Sequence, residues 1–260
     1  MQLLSWNVDF MAANSPDRLR TVVKHIQETI FKCPQGEQPE PCCILLQEVH
    51  PDAFPVLLES RWLRDHFVMT PTKAECWPYA GYGNVTLVAR TLPVRSASIL
   101  AYRHTAMGRH AVLVDVRLGV PGVVVTSESE SSDSEFERDR RADEVTVRVG
   151  NVHLESLPQG AAYRPVQLAA VAQLLREPGV DAGVVAGDMN VISQQDESIH
   201  AAAGLQDACT EGGDETYTWG YQPPSRFPTG RLDRVFYEGD GELWSRGIYQ
   251  AEEQAGVRRE

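Results

Sequence analysis

Positive charge is in short supply: 24 lysines and arginines stand against 36 aspartates and glutamates, a formal net charge of −12. That balance argues against a protein that coats nucleic acid non-specifically, while leaving room for one that gathers cations locally. Much of the excess lies in one stretch, Glu128 to Glu144. No uncharged apolar run is long enough to cross a bilayer, and the first residues carry no secretory pattern. Met1 leads directly into the strand-like run Leu3-Leu4-Ser5-Trp6-Asn7-Val8, leaving no room for a targeting peptide. The expectation is a soluble protein. Cys33, Cys42, Cys43, Cys76 and Cys209 form no C-x-x-C pair and no metal-binding spacing, which suggests reduced thiols and an intracellular address. Cys42 and Cys43, in Cys42-Cys43-Ile44-Leu45-Leu46, read as small buried apolar residues. The absence of H-E-x-x-H or a Cys/His array speaks against zinc. Missing P-loop and G-x-G-x-x-G patterns speak against nucleotide-driven chemistry, and the missing G-x-S-x-G elbow against an α/β-hydrolase. There is no internal repeat.

What is present is a globular composition, 42% hydrophobic and 23% charged over 260 residues, compatible with a single domain covering 1–260. β-Branched runs bounded by Gly, Pro or polar residues predict strands over Leu3–Val8, Cys43–Val49, Asn84–Arg90, Ala111–Leu118, Val123–Thr126, Val145–Leu154, Ala182–Asp188 and Leu232–Tyr237. Ser15-Pro16-Asp17 reads as an N-cap with Pro at the first helical position. Leu19, Val22, Val23, Ile26 and Ile30 follow along one helical face. A second helix is expected over Arg164–Arg176 and a weaker third over Asp196–Ala203. Strands outnumber helices and often follow one another directly, which predicts mixed sheets packed face to face with helices outside. Residues 127–144, poor in apolar side chains, read as a disordered acidic insertion rather than a partner-binding tract.

Polar residues able to hold metal or phosphate recur where apolar strands end: Asn7, Glu48, His153, Asp188 with Asn190, and Asp233. Each alone reads most simply as a cap or turn residue. The recurrence of carboxylate, amide and imidazole at strand ends suggests hard-ligand chemistry, Mg²⁺ above all with Mn²⁺ as the alternative, and metal-aided hydrolysis of a phosphate ester.

Ser5-Trp6-Asn7-Val8-Asp9, Leu46-Gln47-Glu48-Val49, Asn151-Val152-His153-Leu154-Glu155-Ser156, Gly187-Asp188-Met189-Asn190 and Arg231-Leu232-Asp233-Arg234-Val235-Phe236 occur in that order. In them the chain resembles the endonuclease/exonuclease/phosphatase superfamily, from residue 3 to about 237. The Trp-Asn-Val-Asp and His-Leu-Glu-Ser forms, Thr105-Ala106-Met107-Gly108-Arg109 and Tyr217-Thr218-Trp219 resemble its tyrosyl-DNA phosphodiesterase 2 branch, which removes a topoisomerase tyrosine from a DNA 5′ end. The resemblance implies an α/β (α+β) fold, a four-layer αββα sandwich of two mixed β-sheets. It further implies a Mg²⁺-dependent phosphodiesterase acting in DNA repair, monomeric and nuclear, on DNA with a 5′-tyrosyl or otherwise blocked 5′ end and on no membrane. In that reading Glu48 is the main metal carboxylate with Asn7 beside it, Asp188 orients and deprotonates the attacking water, and Asn190 holds that water or a phosphate oxygen. His153 stabilises the developing charge. Trp219, Arg109 and Arg231 bind the DNA end, Trp219 by stacking. Arg109 also reads as a surface arginine. Arg226 and Arg234 add to a locally basic stretch, and Arg234 also reads as a structural partner of its neighbour Asp233.

The chain departs from the family pattern after that point. The superfamily closes with a Ser-Asp-His on a final strand, whose histidine the Asp233 motif orients; here the last histidine is His200. With every other motif intact, the expectation is a sandwich lacking its final strand because the chain is incomplete, ahead of a variant that has lost catalysis and acts by binding, or of another residue supplying the missing charge. Other nuclease chemistry of abasic-site type and lipid or inositol phosphatase chemistry remain alternatives within the same superfamily.

Overall fold

The computed structural model describes residues 1–119, 144–209, 216–220 and 227–239. The strand predicted over Val123–Thr126, the acidic stretch from 127 to 143, Arg226, and the region after 239 where a closing strand was expected to be missing all lie outside the described residues.

Alternation along single strands sorts the core into layers. In β2 (Cys42–Val49), successive side chains face opposite ways, and the two sets join different clusters. Cys43 and Leu45 meet Val112, Val114, Val147, Val149, Val184 and Ala186 of the second sheet. Cys42, Ile44 and Leu46 face outward, in the cluster that holds Leu19, Val22 and Val23 of helix α1 (Ser15–His25). That cluster also takes in the two short helices α2 (Phe54–Glu59) and α3 (Arg61–His66). On the other side, Leu168, Val171, Ala172 and Leu175 of α4 (Arg164–Leu175) pack with Val152, Val185 and Phe236. Three apolar interfaces thus separate four layers, helix, sheet, sheet, helix, as the sequence led us to expect.

The first sheet has the order β1 (Gln2–Asn7), β2, β4 (Gly83–Ala89), β3 (Phe67–Thr70), with β1 and β2 parallel. In the second the order is β5 (Val94–Ala101), β6 (His110–Gly119), β7 (Glu144–His153), β8 (Ala182–Asp188), β10 (Asp233–Glu238), β9 (Gln206–Asp207), with β7 and β8 parallel. Parallel pairing makes β1 and β2 finish together, and likewise β7 and β8. Antiparallel β10 begins where β8 finishes, so Asp233 lies opposite Asp188. Five candidate residues are therefore delivered by topology to one end of the sandwich.

Several local expectations change. Asn14, at φ 57°, occupies the cap position before α1, and Ser15 is the first helical residue. After His25 the chain winds into a π-helical turn, Ile26–Ile30, which carries Ile30 off the apolar face to 36% exposure. The third predicted helix divides into a 3₁₀ turn, Gln194–Ser198, and a single α-turn, α5 (Ile199–Ala202). The 3₁₀ turn starts from Ser193, whose capping box is closed by Asp196. Strands β3, β5 and β9 and helices α2 and α3 were not predicted; β5 is a largely exposed strand with no alternating apolar signal. Among the described residues no helix is long and apolar enough to cross a membrane.

Candidate active site

The sheet ends are held together by a buried polar clasp. Gln47 Nε2 donates to Asn151 Oδ1 (2.9 Å), and Asn151 Nδ2 donates to the carbonyls of Val85 (3.0 Å) and Leu46 (3.2 Å). Both side chains are fully buried, and they register β2 and β4 of one sheet against β7 of the other. Next to the clasp, β2 breaks register between Leu46 and Val49, and Glu48 sits at φ 58°. A left-handed glutamate costs roughly 1–3 kcal/mol and persists only where its surroundings impose it. Asp9 (φ 59°) and Asn190 (φ 48°) share that conformation at the same end. Gly187 has φ 145°, and a Cβ there would stand 1.9 Å from the Val152 carbonyl oxygen. Only glycine lets β8 pass so close to β7 immediately before Asp188.

The side chains meet across the gap between the sheets. Asn7 Nδ2 donates to Asp188 Oδ2 (3.0 Å), and the Asn190 amide donates to Asp188 Oδ1 (2.9 Å). The Phe10 amide donates to Glu48 Oε2 (3.2 Å). His153 Nε2 lies 3.6 Å from Glu48 Oε1 and 3.5 Å from Asp188 Oδ2. Arg109 Nη1 is 2.6 Å from His153 Nδ1 and 3.9 Å from Glu48 Oε1, while Nη2 donates to Ser156 Oγ (2.6 Å). The guanidinium also rests 5.1 Å over the ring of Tyr82. The Asp233 amide donates to Thr218 Oγ1 (3.0 Å).

A guanidinium has only donors, so its contact with His153 assigns the imidazole: Nδ1 accepts and Nε2 carries the hydrogen. Burial, and then the charge of Arg109 and the neighbouring His110, hold His153 well below its usual range, so the ring is neutral at pH 7. Glu48 is raised, chiefly by burial and further by Asp188, against the opposing charge of Arg109. Asp188 is raised by burial, against its hydrogen bonds from Asn7 and Asn190. Asp233 is pushed up to about 7 by burial and by the charge of Asp188 opposite.

Three buried polar atoms of this cluster have no hydrogen-bond partner: His153 Nε2, Arg109 Nε and Asp233 Oδ1. Native interiors rarely leave such atoms unmatched, and orphans gathered at one point mark a place built for a ligand. Among the described residues no group of three or more His, Cys, Asp or Glu side chains encloses a metal by itself. Mg²⁺ needs no such cage, since it retains waters and uses one or two carboxylates beside a phosphate. Glu48, burdened by burial and flanked by Asn7 and Asp188, fits that kind of oxygen-rich site.

Asn7, Glu48, His153, Asp188 and Asn190 are thus brought together, with Asp233 beside Asp188. Asn190 spends its side-chain amide on the Leu154 carbonyl (3.0 Å), which leaves its oxygen available. Arg109 is not a surface arginine: it is 4% exposed, in the centre of the cluster. Trp219, at 40% exposure, bridges to Gly230 near Thr218 at the rim. Arg231 does not enter the cluster and ion-pairs with Asp207. Arg234 pairs with Glu197 (2.7 Å) and Asp207 (3.6 Å), not with Asp233, because neighbours on β10 face opposite sides. Sequence reasoning missed Tyr82, Ser156, Thr218 and the Gln47–Asn151 clasp. All but Tyr82 lie inside quoted motifs, and Tyr82 is marked only by its flanking glycines, Gly81 and Gly83.

No curated protein matches this chain by sequence. Solved structures do match in fold. A truncated Caenorhabditis elegans TDP2 aligns over 92% of this chain and 83% of its own, at 18% identity and a TM-score of 0.61. D. rerio TDP2 complexed with single strand DNA product aligns over 91% and 83%, at 19% identity and a TM-score of 0.62. The Staphylococcus aureus beta toxin aligns over 91% and 84%, at 14% identity and a TM-score of 0.57. A family model described as the Endonuclease/Exonuclease/phosphatase family matches residues 4–254. With that span matched and its motifs meeting at one end of a two-sheet sandwich, the chain belongs to the endonuclease/exonuclease/phosphatase family.

Proposed function

We propose that the protein is a Mg²⁺-dependent phosphodiesterase that hydrolyses 5′-phosphotyrosyl bonds at DNA ends, a repair activity consistent with nuclear residence. The observation that carries the reading is the meeting of Asn7, Glu48, His153 and Asp188 within hydrogen-bonding or ion-pair distance around three unmatched buried polar atoms. The choice of a tyrosyl DNA end is supported by the Thr105–Arg109 and Tyr217–Trp219 segments. It is further supported by the likeness to a TDP2 solved with single-stranded DNA product.

Glu48, with Asn7 beside it, would hold the metal, which when bound supplies positive charge to the phosphoryl oxygens. Asp188 is the base for the attacking water. Asn7 and the Asn190 amide fix its two oxygens, and burial gives it more basicity than an exposed carboxylate has. Neutral His153 donates from Nε2 to a non-bridging oxygen as charge builds there, at no cost in reorganisation because the ring is already held by Arg109. A tyrosine leaves as a phenolate, whose ordinary pKa of about 10 reduces the need for a strong general acid. Trp219 at the rim offers a face for base stacking.

The test is release of p-nitrophenol from a 5′-linked oligonucleotide with Mg²⁺, run beside cleavage of an abasic duplex. Glu48→Gln and Asp188→Asn are each expected to lower kcat by roughly 10²–10⁴. Cleavage of the abasic duplex alone would replace the tyrosyl reading with the endonuclease one. Full activity in both variants would remove the site.

A further inference from the structure

Arg109 is held from behind by a second layer of buried polar groups that the reaction itself does not use. Glu155, 1% exposed, accepts from Thr105 Oγ1 (2.8 Å), from the Ala106 amide (2.9 Å) and from Gln167 Nε2 (3.1 Å). The same Thr105 hydroxyl accepts from the Arg109 amide (2.9 Å). One oxygen therefore joins the Glu155 carboxylate to the backbone of Arg109. Behind it, Gln167 Oε1 accepts from the Glu155 amide (2.9 Å) and Nε2 also donates to the His104 carbonyl (2.8 Å). Arg164, fully buried, donates to the Glu155 carbonyl (3.0 Å) and is locked by Asp196 at 2.8 Å through both Nε and Nη2. The chain of bonds runs from helix α4 to the turn that presents Arg109. Among the described residues that turn has no strand partner of its own.

We infer that Thr105 and Glu155 are positioning residues: together they set the Arg109 guanidinium against Nδ1 of His153 and so keep the hydrogen of that ring on Nε2, facing the phosphoryl group. The inference rests on the proposed role of His153 as donor. Its geometric half, the tautomer, is independent of substrate and metal. Valine at 105 keeps the shape of threonine and removes the bridging oxygen. Glutamine at 155 turns an acceptor oxygen into an NH₂ that faces donors.

The experiment is ¹⁵N-histidine NMR of the metal-free protein, paired with steady-state kinetics on the 5′-p-nitrophenyl oligonucleotide. Wild type and T105S are expected to show His153 as the single Nε2–H tautomer. T105V and E155Q should show a mixture, with kcat lowered about 10- to 100-fold and KM nearly unchanged, the signature of a misaligned donor rather than of lost binding. If E155Q fails to fold, T105V against T105S decides. A single Nε2–H tautomer and wild-type kcat in T105V would overturn the inference, as would equal loss in T105S and T105V. Should Glu48→Gln retain full hydrolysis, the phosphodiesterase reading falls by that result, while the tautomer of T105V still decides the positioning.

Discussion

Asp233 combines three facts at the scale of one side chain: a sealed oxygen without a partner, a facing carboxylate in Asp188, and a carboxyl pushed up to about 7. Between its ordinary value of 3.8 and about 7 the folded protein keeps a proton that the unfolded chain releases. Stability from this group is therefore greatest at the acid end of that window and declines as pH rises through it. Asp233→Asn removes the ionisation, so the variant should lack this decline and be more stable than wild type above pH 7. Urea unfolding at pH 4, 5.5 and 7.5 measures it, and a wild type no more sensitive to this window than the variant would refute the assignment. Residue chemistry at strand ends was readable beforehand because Asn7, Glu48, His153, Asp188 and Asp233 each follow or open an apolar run. The state of Asp233 was not readable: it depends on Asp188, 45 positions away in the chain and opposite it only through β8–β10 pairing.

The elements that bear the site were legible where they are buried on both faces. β8, Ala182–Asp188, is buried throughout and matches its predicted span, since a continuous apolar run bounded by polar residues has few other uses. β5, mostly exposed, and β9, two residues long, gave no periodic signal to find. Within β8 the residue that shapes the site end is Gly187. Gly187→Ala should drive a methyl into the Val152 carbonyl, open the β7–β8 ladder beside Asp188, and cost about 3 kcal/mol or more. Its unfolding midpoint in urea should fall together with kcat. Unchanged stability would mean that the close approach is not maintained in solution.

Among the described residues, three of the five buried polar atoms without a partner gather with a half-buried glutamate at one end of the sandwich. A hard divalent cation that binds the folded chain and not the unfolded one should therefore stabilise it, by about 2.7 kcal/mol at a hundred times its dissociation constant. Thermal unfolding with and without Mg²⁺ measures this. The shift should vanish in Glu48→Gln, and persistence of the full shift in that variant would move the metal elsewhere. What the sequence determined by itself is the layering and the donor set. Period-two alternation allots Cys42, Ile44 and Leu46 to one face and Cys43 and Leu45 to the other, and oxygen-bearing residues cap the runs. Only the tertiary structure decided which charges enter the site. Arg109 and Arg231 are alike as sequence, yet one is buried against His153 and the other tied to Asp207. Burial and partner come from segments distant along the chain, and local pattern does not record them.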